Sequence, residues 1–231
     1  MIKVNNNELK EMYINKYELN NIFSTDLSSY MELVLFEKGE YLCNENEKMQ
    51  NLFFFVKGKA KVYVTLKNGK SILLSFYYPL TVLGDLEVVN NNYTSTNIQV
   101  LEESYCIALP LNCVRERLLQ DAKFLRYACD SLGKKLQISS NNSSINLLYP
   151  LENRLASYIF ATKEEVIINN KKVYIFNEKL TELAELLGTS YRHLLRTLNI
   201  LIDKNIISKE KEYYIIQNKV SLKKLAVDLY K

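Results

Sequence analysis

The feature that most constrains the fold is a change of apolar period at Pro110. Residues 33–109 consist of short β-prone runs separated by turn residues, at 33–36, 41–43, 51–57, 60–66, 70–76, 98–100 and 104–109. Lys67-Asn68-Gly69-Lys70 places Asn-Gly where both central residues of a hairpin turn need positive φ, and Gly39 and Gly58 mark similar corners. After Pro110, which a first helical turn tolerates, Val114, Leu118 and Leu119 recur at helical spacing. A β-rich half followed by a helical one predicts an α+β fold, and 231 residues favour more than one domain.

A second helix is expected from the stripe Leu125, Ala128, Leu132 and Leu136, which suits either a seam against a symmetry mate or packing on the chain's own β domain. Ser139-Ser140-Asn141-Asn142-Ser143-Ser144 reads by composition as a linker, because short polar side chains compete for backbone hydrogen bonds. A strained or ligand-ordered part of the long helix is the other reading. Beyond Pro150, Leu151, Leu155, Tyr158 and Ile159 predict an amphipathic helix. Extended runs at 166–168 and 173–176 then flank an Asn169-Asn170 turn. Two close-set helices follow, then a wing-like pair at 206–209 and 213–216 and a short capping helix at 221–231. The boundaries expected are residues 1–110, 111–148 and 149–231.

Composition excludes several function classes. With 48% hydrophobic residues, 17 Tyr and 9 Phe there is ample core material. The longest apolar runs fall far short of a membrane span and residues 1–7 lack a signal-peptide pattern, so a cytoplasmic location without membrane contact is expected. Cys43, Cys106, Cys113 and Cys129 are scattered singly, against a disulfide framework. His193 is the only histidine, which leaves almost no material for a His-based metal site or a Ser-His-Asp triad. No P-loop, paired GxGxxG or HExxH appears; neither an enzyme nor a cofactor is expected. Residues 1–110 carry 10 Lys/Arg against 13 Asp/Glu, residues 111–148 carry 6 against 3, and residues 149–231 carry 14 against 10. The basic excess thus lies in the C-terminal half, where a polyanion would be met.

The most informative segment is 179–205. Leu183, Ala184 and Leu187 give one apolar helix face, with small Ala184 allowing close approach of a second helix. Gly188 permits a tight turn, Thr189 or Ser190 can cap the next helix, Leu194, Leu198 and Leu201 bury it, and Asn205 can end it in a left-handed conformation. Tyr191, Arg192, Arg196 and Asn199 are left projecting outward, where a recognition helix meets base edges. Arginine suits that role because its planar fork donates two hydrogen bonds to guanine.

This segment resembles the helix-turn-helix of Crp/Fnr regulators, and Tyr191-Arg192-His193-Leu194 is similar to their YeiL-like branch. The likeness extends over nearly the whole chain: Pro150-Leu151-Glu152-Asn153-Arg154-Leu155-Ala156 resembles the family's entry to its DNA-binding domain. It implies that Thr189, Ser190, Tyr191, Arg192 and Arg196 meet DNA, with Lys209 and Lys211 of the wing on phosphates. The best-known members carry Arg then Glu where this chain has Tyr191 and Arg192, so the resemblance does not imply their operator.

The N-terminal half is similar to the family's cyclic-nucleotide-binding β-roll, through Phe36-Glu37-Lys38-Gly39-Glu40 and Leu52-Phe53-Phe54-Phe55-Val56-Lys57-Gly58. Gly84, Asp85 and Leu86 fall at its phosphate cassette. In nucleotide-binding relatives an acidic residue there holds the ribose and a later arginine neutralises the phosphate. Here that second position falls in Thr94, Ser95 and Thr96, and no Lys or Arg occurs between Lys70 and Arg115. A buried phosphate facing only hydroxyls is poorly compensated, so weak or no cyclic AMP binding is expected. Ser139 and Ser140 align with helix positions that meet the effector in such relatives; a different ligand or a plain hinge are both open for them.

The family's iron–sulfur members carry an N-terminal cysteine cluster, and residues 1–42 have no Cys. A thiol switch through Cys106 and Cys113 competes with inert core cysteines. The whole implies a β-roll sensor, a long dimerisation helix and a winged helix-turn-helix acting as a homodimer on double-stranded DNA. RNA polymerase and a small-molecule effector are further partners implied, and a ligand-binding or scaffold protein whose winged domain mediates protein contacts is the competing class.

Overall fold

The apolar run at residues 52–56 has no polar face to show to water, so its strand lies inside a sheet with a neighbour on each edge. The computed structural model describes residues 1–90, 93–168, 170–227 and 229, which gather into two units. One comprises residues 1–64 and 76–137, the other residues 65–75 and 138–231. The division falls inside the long helix expected to act as a hinge.

In chain order the first elements are β1 (Ile2–Lys3), α1 (Asn7–Lys16), β2 (Glu32–Phe36), β3 (Tyr41–Cys43), β4 (Asn51–Lys57), β5 (Ala60–Thr65), β6 (Ser71–Tyr77) and β7 (Thr81–Leu83). Next come α2 (Asp85–Asn90), β8 (Asn97–Val100), β9 (Ser104–Pro110), α3 (Leu111–Gln120) and α4 (Ala122–Leu148). One sheet has the order β1-β2-β9-β4-β7 and the other β3-β8-β5-β6. Leu52 to Val56 of β4 are all at most 3% exposed, as expected of a strand covered on both faces. Phe53 meets Phe36 edge-on at 5.8 Å, whereas Phe54 points the other way, to Phe23 at 6.0 Å and Tyr127 of α4 at 6.2 Å. Each such buried ring contributes about 1.5–3 kcal/mol.

Gly58 ends β4 with φ +112, and a Cβ there would lie 2.1 Å from Ser104 Oγ and 2.9 Å from its Cα. Only glycine lets β9 begin so close.

Asp121 fixes the start of α4. Its carboxylate accepts the N–H groups of Lys123 (2.9 Å) and Phe124 (3.1 Å), and also the Ser24 N–H (2.6 Å) and hydroxyl (2.7 Å). Burial pushes this carboxyl up, but the hydrogen bonds from Ser24, Phe124 and Lys123 outweigh it and hold the group below its ordinary value. A lowered folded value means the contribution is present above the unfolded value of about 3.9 and is lost as pH falls through the folded one. Asp121→Asn keeps a cap acceptor for α4 but loses the charge and one of the two oxygens that accept from Ser24, so it is expected to unfold more readily than the parent at neutral pH, by about 1–2 kcal/mol, with the difference vanishing in acid; urea unfolding at several pH values reads this.

The serine/asparagine run is helical throughout, so it is not a linker. Ser143 and Ser144 hydroxyls donate to the carbonyls of Ser139 (2.9 Å) and Ser140 (3.2 Å), which satisfies within the helix the groups that would otherwise compete with it. Asn142, 2% exposed, donates to the Leu74 carbonyl at 2.7 Å. Of the stripe expected on α4, Ala128 is buried and Leu125 and Leu132 are half-buried, but Leu136 is 72% exposed.

The second unit continues with α5 (Leu151–Thr162), β10 (Glu164–Ile168), β11 (Lys171–Phe176), α6 (Leu180–Leu186), α7 (Tyr191–Asp203), β12 (Ile207–Lys209), β13 (Tyr214–Ile216) and α8 (Lys219–Ala226). Its sheet has the order β10-β11-β13-β12, all antiparallel. Of the turn expected at Asn169-Asn170, Asn170 has φ +60 and Asn169 lies outside the described residues. The capping helix starts two residues earlier than expected, and residues 228, 230 and 231 lie outside the described residues. No described helix is long and apolar enough to cross a membrane.

Candidate nucleic-acid interface and sensor cassette

The turn between α6 and α7 is built from backbone bonds that the sequence makes possible. Gly188 takes φ +60, so its N–H reaches the Glu185 carbonyl (2.8 Å) and the Thr189 N–H reaches that of Ala184 (2.9 Å). This pair of bonds closes a helix C-terminus at a left-handed residue. The same closure ends α7, where Asn205 has φ +52, its N–H meets Ile202 O at 2.8 Å and Ile206 N–H meets Leu201 O at 3.0 Å. Ser190 caps α7, its hydroxyl accepting the His193 N–H at 3.2 Å, and Thr189 Oγ1 lies 3.3 Å from His193 Nδ1.

Leu194, Leu198 and Leu201 are at most 1% exposed, anchoring α7, while Arg192, Arg196 and Asn199 lie on its other side; all three, and Tyr191 in the first turn, are exposed. No ion pair within the described residues engages Arg192 or Arg196. Lys209 and Lys211 are exposed beside the β12–β13 hairpin, which is closed by Glu210 N–H to Tyr213 O at 2.8 Å. Sequence reasoning gives Arg154 no such role: it sits on α5, donates through Nη1 to the Leu187 carbonyl at 2.6 Å and through Nε to Tyr149 O at 3.2 Å. A cation in the first turns of a helix that precedes a helix-turn-helix carries no local signal of that contact.

The cassette residues are placed less as expected. Gly84 (φ +93) lets the chain pass β4, since a Cβ would stand 3.0 Å from Asn51 O. Asp85 is 2% exposed and already partnered: Lys135 Nζ lies 2.7 Å and 2.9 Å from its two oxygens and 2.7 Å from Val82 O, and Ser131 Oγ donates at 2.9 Å. Leu86 is 40% exposed. Thr94 is buried in loop structure, its N–H on Glu47 O (2.9 Å) and its hydroxyl between the Asn44 and Glu47 carbonyls. Ser95 is exposed and the Thr96 carbonyl accepts from Cys43 Sγ at 3.6 Å. Ser139 and Ser140 are exposed in the other unit. The structure thus gathers Gly84, Asp85 and Leu86 at one corner and commits Thr94 elsewhere. Ser131 and Lys135, four apart on one face of α4, bring both donors to Asp85, a pairing for which the sequence around Asp85 holds no signal.

Cys106 is fully buried in β9 and burial pushes its thiol well up, which removes the thiolate a switch with Cys113 would need. No group of three or more His, Cys, Asp or Glu among the described residues is placed to hold a metal.

Residues 33–121 match the cyclic nucleotide-binding domain family. The whole chain is similar to Regulatory protein YeiL of Escherichia coli O157:H7, 34% identical over 207 residues that span 90% of this chain and 91% of that one. The chain belongs to the Crp/Fnr family. Two solved structures of that family share its fold at 14% identity each. One, assigned to the crp/fnr family from Eubacterium rectale, has a TM-score of 0.71 over 87% of this chain and 92% of its own. The other, a CRP-family transcriptional regulator from Thermus thermophilus, has a TM-score of 0.65 over 86% and 98%. Asp85, at the position expected for a cassette carboxylate, is tied to Lys135 of the chain's own long helix.

Proposed function

We propose that this Crp/Fnr chain is a sequence-specific DNA-binding transcription regulator that acts from the cytoplasm as a homodimer on a roughly palindromic site. One observation carries this reading: α7 is anchored by a leucine face and holds two arginines on its opposite side without ion pairs among the described residues, beside a lysine-bearing wing. Thr189, Ser190, Tyr191, Arg192 and Arg196 meet the major groove and Lys209 and Lys211 the phosphates. Leu136, Leu147 and Leu148, exposed by 72%, 84% and 79%, support α4 as the seam of the dimer. RNA polymerase is the partner through which such a dimer acts. The signal enters at the β-roll and is not cyclic AMP, because Asp85 is held by Lys135 and no cation follows it before Arg115.

Fluorescence anisotropy on genomic fragments recovered by pull-down tests the reading. Affinity is expected to fall about a thousandfold or more between roughly 50 and 200 mM salt, as for six or more phosphate contacts. An affinity indifferent to salt would instead favour a winged domain that meets protein.

A further inference from the structure

We propose that the cleft between α2, α3 and the segment leading into β4 binds a small zwitterion of the α-amino-acid class. The cleft has a volume of about 310 Å³, within the range of small-molecule sites. Its cations are Lys48 and Arg115, its one carboxylate is Glu87, and Met49 and Leu111 form an apolar floor.

The two carboxylates of α2 have different surroundings. Asp85 is satisfied by Lys135 and Ser131. Glu87 faces the cleft, half-buried and without an ion pair among the described residues, and burial pushes its carboxyl above the ordinary value. Arg115 lines the same cleft, and its Nε is buried without a hydrogen-bond partner among the described residues. Buried donors are nearly always paired, so one that is not, lining a cleft with a second cation, points to a group that fills it. The charges then select the ligand. A carboxylate meets the Arg115 fork and Lys48, and an ammonium meets Glu87. A plain anion would leave Glu87 facing it, and a plain cation would face two positive groups. The Asn112 and Gln50 amides at the rim suit a polar side chain. The site is built from the first unit alone, so it stands whether or not α7 reads DNA.

Calorimetry on the full chain with each standard L-amino acid, and with acetate and methylamine as single-charge probes, decides the matter. At least one amino acid should saturate the protein one to one, while acetate and methylamine should not. Arg115→Gln and Glu87→Gln should each weaken that amino acid about tenfold or more with the thermal midpoint preserved. The proposal is overturned if no amino acid saturates, if acetate binds as tightly as the best of them, or if both variants leave the affinity unchanged. Should a variant fail to fold, the selectivity of the parent between amino acid and single-charge probes still decides. Salt-dependent DNA affinity of the same samples reports separately on the regulator reading.

Discussion

Arg192→Ala and Arg196→Ala are each expected to cost about 1–3 kcal/mol of specific DNA affinity, a factor of roughly 5 to 150, and to relax sequence preference. Both side chains lie on the side of α7 opposite the buried Leu194, Leu198 and Leu201, so truncation leaves the fold of the unit untouched. Neither is engaged in an ion pair among the described residues, so nothing must be broken before it meets a base. Lys209→Ala and Lys211→Ala should by contrast weaken all sequences alike and flatten the salt dependence, as phosphate contacts do. Anisotropy titrations on specific and random duplexes separate the two outcomes. Equal losses on both duplexes for the arginine variants would remove α7 from the reading role.

The largest effect on stability is expected from Lys135→Met. Asp85 is 2% exposed, and the ammonium 2.7 Å away is the only cation bonded to it among the described residues. Methionine keeps the stem volume but leaves a buried carboxylate with only the uncharged Ser131 hydroxyl and Leu86 N–H as donors, which costs about 3–5 kcal/mol against a total stability of about 5–15 kcal/mol for an ordinary domain. Asp85→Asn in the same chain should recover much of that loss, because the charge requiring compensation is gone. Urea unfolding followed by circular dichroism measures both. A loss under about 1 kcal/mol for Lys135→Met would mean that the pair is open to water.

The elements legible in the sequence were those whose pattern is local. β4 declared itself by five successive apolar residues, and the β5–β6 hairpin by Asn68-Gly69. The ends of α6 and α7 followed from Gly188, Ser190 and Asn205, whose backbone angles the structure realises. β1 and β7 were not legible, since two and three residues show no period and their pairing to β2 and β4 is set by the sheet. The long-range partners were illegible for the same reason: nothing near Asp85 names Lys135, fifty positions on, and nothing near Arg154 names Leu187. The serine/asparagine run misled because helix propensity is a weak local preference, overridden once the hydroxyls bond back along the helix and Asn142 meets the Leu74 carbonyl.

The bond from Arg154 to the Leu187 carbonyl ties α5 to the end of α6, one residue before the Gly188 turn that leads into α7. On the proposed reading of DNA by α7, a screen that scores promoter output is therefore expected to recover position 154 together with the arginines, through the anchoring of the turn and not through a base contact.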